Sequence, residues 1–373
     1  MYTLTTMNDP RWDKLAKVFC SSTSIKSGDK VLLQIVDLDA LPLLFALQRK
    51  ALEAGAASVD YQIILPDLER SFFERATDTQ LDFVPKWNMV QMKEVDVFIA
   101  ARACMNGLNL KEIKTERVMR RSRATRRVLD ERVKNTRWCV TRVPTDHDAI
   151  LAGMSTPAYI DYYFAAVLQD YRALKKKNLA LKKLMERTDS VHIQAPGTEL
   201  KFSIKNIGVV SCHGERNIPD GEVFTAPIRN SVTGVINYNV PSLYKDREWS
   251  NICFEFSKGK IIGCSCDQGE TELEKVLDTD KGARFIGEFA IGTNIGIQQA
   301  AKNTLFDEKI FGSFHLTPGR AYDEADNGNK SAIHWDLVKI LTPEFGGGLI
   351  KFDGVPIMED GKFVHDDLLA LNS

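Results

Sequence analysis

The feature that most constrains the fold of this chain is a change of texture near Thr188. Ahead of it, short apolar runs alternate with stretches of helical spacing. Residues 31–36 (VLLQIV), 59–65 (VDYQIIL, ended by Pro66), 95–100 (VDVFIA) and 138–143 (WCVTRV, ended by Pro144) read as strands. Residues 41–54 read as a helix stopped by Gly55. A long helix is predicted over 157–187, with acids early and lysines late, as the helix dipole prefers. Such alternation implies parallel strands covered by helices on both faces. Beyond Thr188 the pattern becomes short β-rich runs separated by Gly, Asn and Pro: 191–194, 200–204, 234–238, 252–256, 260–264 and 349–352. These predict an antiparallel domain, barrel-like or sandwich-like. The expected organisation is therefore an α/β N-terminal domain with a parallel sheet over residues 1–187 and a β-rich, α+β domain over 188–373.

Composition narrows the function. Lys plus Arg total 49 against 50 for Asp plus Glu, so the chain lacks the basic surplus of a dedicated nucleic-acid binder. No apolar run approaches the ~18 residues of a membrane span. The opening MYTLTTMNDPRWDKLAKVF has acids and no long apolar core, so no secretory signal is expected there. Seven scattered cysteines without a CxxC pair point to a reduced, cytoplasmic protein. There is no GxGxxG after a strand, no P-loop, no HExxH and no GxSxG elbow. The densely basic segment 114–137 reads as a solvated helix face rather than an RNA contact, because the whole chain is neutral. Asp146-His147-Asp148 reads as a loop, Cys264-Ser265-Cys266 as part of a strand, and Gly346–Gly348 as a turn into the next strand.

The chemistry is concentrated in four stretches of the second half. Glu222 follows a Pro-Asp-Gly turn and opens the apolar Val223-Phe224. Glu288 is the only charge in the nine residues from Phe285 to Thr293. Burying a lone carboxylate is costly unless it is paired, hydrogen-bonded or bound to a metal. His315 sits in an apolar, strand-like context, with Tyr322 beyond a Pro-Gly turn. His334 and Asp336 are two apart, so on a strand they share a face. Each alone is compatible with an ordinary structural role. Together, carboxylates and histidines on short apolar elements of one domain can assemble a hydrolytic metal site, and mixed N and O donors suit Zn, Co or Mn. A carboxylate-rich site can also hold two ions and activate a water between them.

The stretches NIPDGEVFTAP, GEFAIGTN, DEK…HLTPGRAY and SAIHWD, in this order, resemble the aminopeptidase T (thermophilic-type) family of two-metal exopeptidases. The likeness covers the second half and extends more weakly into the first through WCVTRVPT and the long helix before TELKFSI. The resemblance implies an α/β N-terminal domain covering the active site of a β-rich catalytic domain, in a homodimer. It implies two divalent ions per chain, with Glu222, Glu288, His315, His334 and Asp336 as ligands and Glu288 as the bridge. It implies Tyr322 as a catalytic hydroxyl near the reacting carbonyl, and Glu308 as a further ligand. Many family members place that Glu five residues before the His, and here the gap is seven. Either the turn at Gly312 absorbs the extra residues or Glu308 leaves the site. The expected activity is a metalloaminopeptidase acting on short peptides with a free N-terminus, in the cytoplasm. One alternative is a mononuclear Fe(II) ring-cleaving dioxygenase, which needs fewer carboxylates than this chain offers. The other is a non-enzymatic peptide-binding module, and the set of ligand types beside Tyr322 argues against it.

Overall fold

The computed structural model describes residues 9–244 and 247–373. By contact the chain divides into two units: residues up to Leu168 with Gly214–Ile218, and Gln169–His213 with Pro219–Ser373.

The first unit is built on a five-stranded parallel sheet in the order Ser58–Ile64, Lys30–Val36, Val97–Arg102, Arg137–Arg142, Asn217–Ile218. Its inner strands are apolar because helices cover both faces: Val31, Leu32, Leu33 and Ile35 are buried, as are Val97 through Ala101. The helix Leu41–Glu53 carries Pro42 in its first turn and is followed by Gly55 at φ +89°, the ending that Gly55 implies. The basic segment forms the helix Thr115–Asn135, with no fully buried residue. Several of its arginines are spent on its own unit: Arg120 pairs with Asp78 and Asp82, and Arg121 donates to the Leu81 and Phe83 carbonyls. Residues 146–148 are not a loop. They open the short helix Asp146–Leu151, because the Thr145 hydroxyl caps it at the Asp148 N–H and Arg142 pairs with Asp148 at 2.9 Å.

The long helix expected over 157–187 is two helices, Thr156–Val167 and Tyr171–Arg187. Asp170 makes the break: its carboxylate accepts from the Arg172 and Ala173 N–H groups, both at 3.0 Å, and so starts a new helix. That second helix packs Leu181, Leu184 and Met185 into the core of the second unit, with Val191, Ile193 and Leu200. By contact this helix falls in the second unit.

The second unit contains an eight-stranded sheet, a five-stranded sheet and the pair Ser242–Tyr244 with Arg247–Trp249. Within the two larger sheets every pairing is antiparallel. The parallel-sheet α/β part and the antiparallel part expected from sequence are both present. One apolar core joins the two larger sheets: Phe202 of one meets Phe289 of the other edge-to-face, with centroids 5.0 Å apart, and the Tyr238 hydroxyl donates to the Leu316 carbonyl at 2.9 Å. The five-stranded sheet runs Val338–Ile340, Ser313–Pro318, Ile286–Gly292, Glu222–Thr225, Val210–Cys212. It carries Glu222, Glu288 and His315.

Candidate metal centre

Strand periodicity assembles the cluster. In the central strand, Glu288, Ala290 and Gly292 alternate with Phe289 and Ile291. Register places Ala290 opposite both His315 and Phe224, and Gly292 opposite Glu222. Residues opposite one another in a sheet share a face. Glu222, Glu288 and His315 therefore project from one side, while Val223, Phe289, Ile291, Phe314 and Leu316 enter the core from the other. Glu222 is delivered by Asp220-Gly221. Gly221 has φ +134°, and a Cβ there would lie 3.0–3.2 Å from Asn294. The Asn294 side chain donates to the Asp220 carbonyl at 2.8 Å and closes this corner.

His334 and Asp336 arrive differently. They lie on an irregular segment, not on the strand expected for them, and Gly319 forms an isolated bridge with His334. Gly319 has φ +112°, and a Cβ would clash with the Ile333 carbonyl at 2.1 Å. Trp335 between them is buried, stacked on Tyr244 at 4.5 Å and donating to the Ser242 hydroxyl at 2.9 Å. That anchor turns its two neighbours to the cluster.

Glu288 is the centre of the geometry. Its Oε1 is 3.1 Å from His315 Nε2, and its Oε2 is 3.4 Å from His334 Nε2. His315 Nε2 also lies 3.7 Å from Glu222 Oε2, and His334 Nε2 lies 3.2 Å from Asp336 Oδ1. Outer contacts fix the donors. His334 Nδ1 donates to the Arg320 carbonyl at 2.8 Å, which leaves Nε2 as the atom facing the carboxylates. The Thr317 hydroxyl donates to Asp336 Oδ1 at 2.7 Å. Among the described residues, Glu222, Glu288 and His315 form one set of donors within 4.8 Å of one another, and Glu288, His334 and Asp336 form a second. The two sets share Glu288.

The charges respond to this crowding. Burial works against charge on His315, but the hydrogen bond to Glu288 and the charge on Glu222 override it and raise its pKa to about 9. His334 is likewise opposed by burial and driven up to about 11 by Asp336 and Glu288. Burial raises Glu288 and Asp336, yet the imidazoles beside them hold both below the usual carboxylate range. Glu222 is raised by burial. The buried Glu222 Oε2 and Glu288 Oε2 have no hydrogen-bond partner. Such atoms are costly in a protein interior. A divalent cation beside them satisfies both, so the residues present fit a metal.

Tyr322 borders the cluster, its ring centroid 4.7 Å from His334 and 5.7 Å from Phe224, with 44% of its surface exposed. Burial of the hydroxyl and the nearby Glu288 and Asp336 hold that phenol well above its ordinary pKa, so it remains a hydrogen-bond donor. Glu308 stays beside the cluster, pushed up to about 8 by burial, but it is in neither donor set. Its Oε1 accepts from Lys309. Lys309 is the residue that sequence reasoning missed. It is 1% exposed, and its Nζ donates to Glu222 Oε1 at 2.9 Å and to Glu308 Oε1, with Asp220 Oδ1 at 4.0 Å. The only signal for it is a lysine set against the apolar Ile310-Phe311 beside two acids.

Two donor sets that share a carboxylate, one of them raised on the open face of a sheet, make a metal centre of the kind that metal-dependent hydrolases use. The chain belongs to the thermophilic metalloprotease (M29) family, whose model matches residues 8–363. It is 26% identical over 395 residues to aminopeptidase T of Thermus thermophilus, covering 91% of this chain and 95% of that one. It is 25% identical over 409 residues to aminopeptidase PepS of Streptococcus thermophilus, covering 94% and 97%. The solved structure of wild-type AmpT from Thermus thermophilus shares the fold, with a TM-score of 0.76 at 23% identity over 95% of this chain and 99% of that one. The dioxygenase and the non-enzymatic module find no support in these matches.

Proposed function

We propose that the chain is a metal-dependent aminopeptidase that releases N-terminal residues from short peptides with a free α-amine. The observation that carries this reading is Glu288, which turns one oxygen to His315 and the other to His334. The M29 match and the aminopeptidase relatives support it. In this proposal Glu222, Glu288 and His315 hold one divalent ion and Glu288, His334 and Asp336 a second, Zn, Co or Mn. Glu308, which shares the Lys309 ammonium with Glu222, is the additional carboxylate at the edge of the set. A reducing, cytoplasmic location and a homodimer belong to the same proposal; seven free thiols support the first. Among the described residues no helix is long and apolar enough to cross a membrane.

When bound, such ions supply Lewis-acid polarisation of the scissile carbonyl and acidify a water. The protein side chains do the rest. Arg320, through its carbonyl, and Thr317 hold His334 and Asp336 in fixed orientation. The acid cluster recognises the α-amine at a set distance from the reacting carbonyl. The Tyr322 hydroxyl donates to the carbonyl oxygen as negative charge develops on it, a bond stronger in the transition state than before it. Hydrolysis of leucine amide and Leu-Gly peptides with added Zn, Co or Mn, and none of the N-acetylated versions, is the expected result. Comparable cleavage of acetylated and free peptides would overturn recognition of the amine and make the protein a general amidohydrolase.

A further inference from the structure

The Lys309 ammonium is a cation already built into the carboxylate cluster. It has no route to water at 1% exposure, and it faces three carboxylates: Glu222, Glu308 and Asp220. Its position is fixed by the backbone. The Asn294 N–H donates to the Lys309 carbonyl at 3.2 Å, and the segment passes so close to Gly292 that a Cβ there would lie 2.1 Å from the Ile310 carbonyl oxygen. Gly292 is in turn the register partner of Glu222. The lysine is thus held over one end of the cluster and not over the other.

The two donor sets consequently differ. Glu222 gives Oε1 to the ammonium and keeps only Oε2 free for a metal. The other set, Glu288, His334 and Asp336, has no hydrogen bond or ion pair to Lys309 among the described residues. A third group of donors, Cys212, Asp220 and Glu222, also lies within 4.8 Å, but two of its members already face the ammonium. A positive charge beside one position repels a divalent ion there and removes part of the negative charge that would attract it.

We infer that Lys309 makes the two metal positions unequal: the Glu288–His334–Asp336 position binds its ion tightly, and the Glu222–Glu288–His315 position binds weakly and exchanges. This rests on the two-ion reading above. Lys309 is a positioning residue in this account, acting through Glu222, and its effect is read in metal binding, not in turnover.

The test is titration of the chelator-stripped full chain with Co²⁺ alone, followed by calorimetry and by visible absorption of the bound ion. The wild type is expected to bind two ions in separate steps, the second weaker by roughly tenfold or more. Lys309→Met should tighten the second step and narrow the gap, whereas Lys309→Arg, which keeps the charge, should preserve it. Asp336→Asn should remove the tight step and Glu222→Gln the weak one, which decides the assignment even if Lys309→Met does not fold. Two wild-type ions of equal affinity would overturn the role of Lys309 while leaving two ions in place. An unchanged second step in folded Lys309→Met would do the same. One ion per chain in both wild type and Lys309→Met would instead overturn the two-ion reading, and this inference with it.

Discussion

Tyr322 and Glu288 make separable demands on the chemistry. Tyr322 borders the cluster through its ring contacts with His334 and Phe224 and belongs to neither donor set, so removing its hydroxyl should leave fold and metal content intact. Tyr322→Phe is expected to lower kcat about 10²-fold with little change in KM, as for loss of one preorganised oxyanion donor. Near-full turnover in steady-state assays would remove the role. Glu288→Gln should abolish turnover and lower the bound metal seen by elemental analysis, because one side chain serves both donor sets. Titration supplies a third prediction. His315 is held up to about 9 and His334 to about 11, against ~6.5 unfolded, so the metal-free folded chain binds the extra protons. Their contribution to stability is complete below about 6.5 and is lost as the pH rises through about 9 and then about 11. Glu308, raised to about 8, and Asp307, raised to about 7, act with the same sign at lower pH. Metal-free protein should therefore melt at lower temperature at pH 9 than at pH 6. Metal affinity should rise over the same interval, because the ion needs neutral imidazoles. A metal-free melting temperature independent of pH would contradict the assigned charges.

At the scale of elements, the corner that presents Glu222 is the sensitive point. Gly221→Ala places a Cβ against Asn294 at φ +134°. The expected cost is about 1–3 kcal/mol, measured by denaturant unfolding, with weakened metal binding at the Glu222 set. A variant as stable as wild type would show that the corner relaxes freely. The elements legible in the sequence are those with strict periodicity. Residues 31–36 and 349–352 fall on Lys30–Val36 and Leu349–Phe352, because apolar runs bounded by turn residues have few other uses. The long helix was not legible as two, because one Asp at 170 reads equally as a surface residue and as a cap. His334 and Asp336 converge without a strand, because buried Trp335 substitutes for regular pairing. Lys309 was illegible because its meaning depends on which carboxylates meet it, and that is decided by register and by the passage of its segment over Gly292.

At the scale of the molecule, the second unit sets Glu222, Glu288 and His315 on one face of a sheet whose other face enters the core. Removing metal leaves the buried Glu222 Oε2 and Glu288 Oε2 without a hydrogen-bond partner. Chelation should therefore raise hydrogen exchange in Glu222–Thr225, Ile286–Gly292 and Ser313–Pro318, while the parallel sheet of the first unit keeps its protection. Equal loosening of both sheets would place the effect of metal elsewhere. The sheet's alternation also has a genetic consequence. One codon inserted between Glu288 and Phe289, past the register shift at Ile286–Glu288, would reverse the face of one of the two, sending the acid into the oil or the ring to the cluster. Length can drift only where the pleat does not keep count, as between Glu308 and His315, where Gly312 at φ +77° turns the chain before the strand begins. Lineages of this protein should therefore collect their insertions in connectors such as this one, and the strands should mutate by replacement alone.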